Sequence, residues 1–235
     1  MKNLFVLVAL VLLYGCSSSG TIGRPSSYYD EQNHMSNADL PSFSDGAGKL
    51  DEAEIQKILS YKLTFPTKGR VAILDLTESK FWNTYSTDFL LLNQEILENF
   101  IGKLRESNRI YDASFLPGLL IPKHKTLIDL RLAAIRYQAD FLLTYSINCQ
   151  RFEQFRFLSN NDYKAYCNIE AVAIDTRTGI VPFAAVSTNE FTALKNEKDI
   201  NFDETKRKAE MKAKSIGLAE IADKLKKFIE QLPKQ

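Results

Sequence analysis

Apolar and polar positions along the chain fall into blocks of different period. Leu50, Ile55, Ile58 and Leu59 share one helical face, so Lys49 to Leu59 predicts a short amphipathic helix. Arg70-Val-Ala-Ile-Leu-Asp-Leu76 is a brief apolar run entered through Lys68-Gly69, the pattern of a buried strand. A polar loop, Thr77 to Thr87, follows it. Apolar residues at 89, 92, 96, 97, 100, 101 and 104 then form a helical stripe that starts at Thr87-Asp88. Asn108-Arg-Ile-Tyr111 begins a second, edge-like strand. Pro117-Gly118 and Pro122 interrupt the chain. Lys123 to Tyr137 predicts a further helix, with Leu127, Leu130, Ala134 and Ile135 facing inward.

Beyond Ala139-Asp140 the period shortens to two. Phe141-Leu-Leu-Thr-Tyr-Ser-Ile147 is a strand that continues to about Phe157. Ser159-Asn-Asn-Asp162 is a turn cluster. Tyr163 to Asp175 returns as a strand with Ala165, Cys167, Ile169, Ala171 and Ala173 on one parity. Thr176-Arg-Thr-Gly179 makes a tight turn, and Ile180 to Phe191 a last strand, with Pro182 at its start or on an edge. Asn201-Phe-Asp-Glu opens a long helix to about Leu232, carried by Ala209, Ala213, Ile216, Ile221, Leu225, Phe228 and Leu232. Its opposite, Lys-rich face reads as solvated surface or as a basic helix lying on a membrane. This order predicts an α/β fold, an α+β sandwich. A mixed sheet of about five strands ends in a long meander and is covered by helices.

The fragments RVAILDL, YQADFLLTYSI and IEAVAIDTRTGIV resemble a known domain. It is shared by the curli-secretion lipoprotein, the lipoprotein activators of penicillin-binding proteins and the N-terminal part of the Tol-system propeller protein. Ala139-Asp140 matches that family's Ala-Asp before a strand, and Asp175-Thr-Arg-Thr-Gly179 its Asp-x-x-Thr-Gly hairpin closure. The resemblance spans roughly residues 68 to 230. It implies a fold and an envelope compartment, and it carries over no catalytic residue.

The first sixteen residues differ from all of this. Met1-Lys2-Asn3 precedes the apolar run Leu4 to Leu13, which is followed by Tyr14-Gly15-Cys16. A positive start, a short apolar core and a small residue before the cut mark a secretory signal. The run is ten residues, about half of the ~20 that span a bilayer. Leu13-Tyr14-Gly15-Cys16 resembles a lipobox, with Tyr14 where a small residue is usual. The resemblance implies cleavage before Cys16 and lipid (including palmitate) attachment to it. An ordinary signal peptide that happens to carry a Cys is the alternative. By the same resemblance, Ser17 in place of Asp favours the outer membrane, with the domain in the periplasm. Residues 17–48 are rich in Ser, Gly and Pro and poor in aliphatic side chains, as in a flexible tether. The expected organisation is a signal at 1–15, a lipidated tether at 16–48 and one domain at 49–235.

Without Lys2 the chain balances twenty-nine basic against twenty-nine acidic side chains, which argues against nucleic acid as a partner. No cofactor or metal motif is present. The two histidines, His34 and His124, lie in no metal-ligand spacing, and His124 sits between Lys123 and Lys125. There is no Gly-x-Ser-x-Gly elbow and no glycine-rich phosphate loop. Asp75, at a strand end, reads as a catalytic carboxylate or as the cap of the following loop. Phe152, Phe155 and Phe157, with Arg151 and Arg156, near a hairpin tip, read as a protein-binding cluster, with Arg151, Phe155 and Arg156 on its surface, or as core packing. Cys149 and Cys167 lie on consecutive strands with residue 158 midway, so a hairpin folded there sets them opposite each other. They form a disulfide after export or remain two small buried hydrophobes. The expected role is a non-enzymatic, membrane-anchored module that binds an envelope protein. A subunit of a curli-type secretion pore and an envelope hydrolase are the alternatives.

Overall fold

The structure, a computed structural model, describes residues 51–77, 87–154, 162–194, 199 and 201–235. The expected signal, Cys16 and the tether lie outside them. The first element is helix α1, Glu52–Ser60, started by a reciprocal capping box between Asp51 and Glu54. Then come β1 (Gly69–Asp75), α2 (Thr87–Arg105), β2 (Ile110–Phe115) and α3 (Leu127–Arg136). The meander β3 (Phe141–Gln154), β4 (Asp162–Asp175) and β5 (Phe183–Leu194) follows, and α4 (Phe202–Gln231) ends the chain. The five strands form one sheet in the order β2-β1-β3-β4-β5. β1 runs parallel to β2 and β3, while the meander strands are antiparallel. The expected mixed α+β sheet is therefore present.

Two cores sit on opposite faces of this sheet. Odd positions of β3 and β4, from Phe141 to Ile147 and from Cys167 to Ala173, pack with Val71 and Ile73 against α2 and α4. The smaller core joins Ala72, Leu74, Leu142 and Ile174 to Leu130, Ala133 and Ala134 of α3. At Gly69 a side chain is excluded, because a Cβ there would lie 2.4 Å from the Phe65 ring.

Several expectations are corrected in detail. The helix expected from Lys123 starts at Leu127, where Thr126 supplies the capping oxygen to the Asp129 amide. Ile135 faces solvent, and Ala133 takes the inward place, since small residues let α3 approach the sheet closely. α1 buries none of its residues fully; Ile55 of its apolar stripe is half-buried, and Ile58 and Leu59 are exposed. The last strand starts at Phe183 and not at Ile180, consistent with Pro182 lacking the N–H that a ladder needs. Among the described residues no helix is long and apolar enough to cross a membrane.

Candidate functional site: the uncovered face of the meander

The three meander strands are longer than the helix that covers one of their faces. α3 reaches only the first residues of β3 and the last of β4, where Leu142, Thr144 and Ile174 are buried. Farther along, the even positions form rungs with no described helix above them. Ser146, Glu170 and Val186 make one rung, Asn148, Asn168 and Thr188 the next. Gln150, Tyr166 and Glu190 follow, then Phe152, Lys164 and Thr192. β5 alternates strictly, with its even side exposed from Ala184 to Leu194.

Polar contacts order the middle of this face. The Thr188 hydroxyl donates to Asn168 Oδ1 at 2.8 Å, and Asn168 Nδ2 donates to Glu170 at 3.1 Å. Lys164 donates to both carboxylate oxygens of Glu190, at 3.2 and 3.3 Å. The Tyr166 hydroxyl first, and Lys164 second, hold the Glu190 carboxyl below the usual carboxylate range. Phe152 stands edge-on to Tyr166 with centroids 5.4 Å apart, and Lys164 lies 5.3 Å from the same ring centroid. At the foot of the face is an open groove of about 380 Å³ lined by Leu76, Thr144, Ser146, Glu170, Val172 and Val186. One surface thus carries an aromatic pair, an ordered Lys164–Glu190 pair and an apolar groove.

The residues singled out from the sequence fall in different places. Cys149 lies directly opposite Cys167 with Cα atoms 4.1 Å apart, and their sulfurs are bonded. Arg151 pairs with Glu210 of α4 at 2.7 Å and so ties the far end of β3 to the helix. Phe155 and Arg156 lie outside the described residues. Asp75 accepts the Thr77 amide at 2.8 Å, a loop cap. Opposite it, Tyr145 is buried, and its hydroxyl, close to the Asp75 carboxylate, makes no well-formed hydrogen bond among the described residues. Burial, and then the nearby Asp75 carboxylate, push that phenol far above its ordinary pKa. His124 is exposed. Among the described residues no three His, Cys, Asp or Glu side chains gather to hold a metal.

The two motifs that carry the resemblance close one end of the sheet. Asp140 accepts the Arg70 amide at 2.9 Å and pairs with Arg177 at 2.9 Å. Thr176 donates to the Ala139 carbonyl at 2.7 Å, and Gly179 turns with φ 79°. Arg131 of α3 donates to the carbonyls of Thr176 and Arg177. Of the Phe152, Tyr166, Lys164 and Glu190 cluster, the sequence pattern singles out Phe152 alone. The cluster's signal was there: with the turn centred on residue 158, strand parity alone puts residues 152 and 164 on one rung.

No family model matches the chain, and no curated protein does. Among solved structures it is similar to a minor lipoprotein from Acinetobacter baumannii, at 9% identity over 71% of this chain and 98% of that one, with a TM-score of 0.33. It is also similar to a lipoprotein from Neisseria meningitidis, at 10% identity over 69% and 98%, TM-score 0.31. A third is the PelC dodecamer protein from Paraburkholderia phytofirmans, at 15% identity over 75% and 96%, TM-score 0.29. The solved structures it resembles thus include bacterial lipoproteins. At these identities and scores they assign no function.

Proposed function

We propose that this chain is a lipid-anchored lipoprotein of the bacterial envelope, held at the outer membrane, whose periplasmic domain binds another envelope protein without catalysing a reaction. The observation that carries the anchoring is Leu13-Tyr14-Gly15-Cys16 behind ten apolar residues. The binding part is supported by the uncovered meander face, where Phe152 and Tyr166 stand beside the Lys164–Glu190 pair. That face also favours a binding module over a pore subunit. The outward positions Ser146, Asn148 and Gln150 are polar, and the other side of the hairpin is packed on α4, so neither side offers lipid an apolar band.

Cys16→Ser tests the anchor. It is expected to leave a precursor that retains residues 1–15 and takes up no labelled fatty acid. Undiminished acyl labelling overturns the assignment. Tyr166→Ala with Glu190→Lys tests the face. In cross-linked envelopes this variant is expected to lose the adduct formed by the parent chain while its melting temperature stays within a few degrees. An unchanged adduct removes the face from the proposal.

A further inference from the structure

α3 is apolar on two sides, and among the described residues only one of them is packed against the protein. Leu130, Ala133 and Ala134 are buried against the sheet. Ile128, Leu132 and Ile135, spaced i, i+4 and i+7, point the other way and are 53, 44 and 45% exposed. Leu120, in the turn that leads to the helix, packs on the same core as α3, and Leu119 beside it is fully exposed. Single exposed aliphatics are ordinary, but a set on one side of one element marks a contact surface.

Charge indicates what covers it. Between Pro117 and Gln138 lie four cations, Lys123, Lys125, Arg131 and Arg136, against one carboxylate, Asp129. Helical spacing sets Arg136, which is exposed, on one flank of the stripe and Arg131, whose guanidinium is held by the Thr176 and Arg177 carbonyls, on the other. Lys123 and Lys125 stand exposed at the helix start. A second copy docked on the same surface would bring these cations against one another. Apolar side chains rimmed by Lys and Arg are instead the pattern that enters the headgroup boundary of an anionic bilayer. We propose that α3 and the Leu119 turn dock on the surface of an anionic membrane, as a second attachment besides the N-terminal lipid. This deepens the anchoring proposal and rests on it only for bringing the domain to a bilayer.

The test uses the full chain reconstituted in vesicles, with a photoreactive benzophenone side chain at position 132. Vesicles of phosphatidylethanolamine and phosphatidylglycerol are compared with vesicles of phosphatidylcholine alone. Lipid adducts are expected on the anionic vesicles and at least about fivefold fewer on the neutral ones. Lys123→Gln with Lys125→Gln is expected to lower the anionic yield by at least about fivefold at an unchanged melting temperature, since both side chains are exposed. Adducts to a second copy, equal yields on both lipids, or no adducts each overturn the proposal. Acyl labelling of Cys16 is scored on the same sample, so a missing anchor and a missing docking contact are read separately.

Discussion

Arg109 is the least expected side chain in the fold. It is buried, and the described groups that hold its guanidinium are carbonyls, not carboxylates. It donates to Ile229 and Phe65 at 2.7 Å each, to Pro66 at 3.3 Å, and to Leu232. The cation sits where the α4 macrodipole ends, which favours it there. Arg109→Met is expected to cost about 2–4 kcal/mol, because it leaves several buried carbonyls without donors; urea unfolding measures it. Tyr145 is the converse case, a buried hydroxyl with no well-formed hydrogen bond among the described residues. Tyr145→Phe is expected to be neutral or to stabilise by up to about 1 kcal/mol, since no well-formed hydrogen bond is lost and the phenol no longer faces the Asp75 carboxylate. Its pH dependence has a definite sign. An unfolded Tyr ionises near pH 10, whereas burial and Asp75 keep the folded phenol protonated. Folded protein then binds more protons than unfolded protein, so stability falls as pH rises through about 10. In Tyr145→Phe that decline is expected to be shallower, and unfolding curves between neutral and alkaline pH check it.

The β3–β4 hairpin shows how register positions chemistry. Every described pair, from Phe141↔Asp175 to Gln154↔Asp162, keeps one register, so Cys149 and Cys167 share a rung and a face. A slip of one residue would have sent one sulfur to each side. The bond closes a loop with a sequence separation of 18, and reducing it is expected to cost about 3 kcal/mol by loss of loop-closure entropy. Calorimetry with and without reductant tests this, and two alkylated thiols in non-reduced exported protein would show that the bond is not formed there. The Arg151 guanidinium, donating to Glu210, reinforces the same hairpin from the helix side. The helical stripes of α2 and α4 were legible because long amphipathic periods admit one inward face. α3 was less so. It carries two apolar stripes, and local spacing does not say which of them meets the sheet.

The segment that leads into β1 and the C-terminal residues are clasped together. Phe65 and Lys234 form an isolated parallel bridge, in which the Phe65 amide donates to Pro233 at 3.0 Å and the Gln235 amide to Phe65 at 3.2 Å. Phe65 is fully buried and packs on Phe141 with centroids 4.9 Å apart. Removing residues 233–235 is expected to lower stability by about 1–2 kcal/mol through two lost backbone bonds and a looser Phe65; a melting curve of the shortened chain measures it. Local pattern was enough for the element order, the inward face of β4 and the hairpin centre, because period, turn chemistry and hydropathy act between near neighbours. Three features depended on residues far apart in the chain. They are β1 between β2 and β3, Arg109 under the end of α4, and an α3 too short to cover β4 and β5. Crossover packing and burial decide these, and they leave open the meander face and the outer stripe of α3, the two surfaces on which function is proposed here.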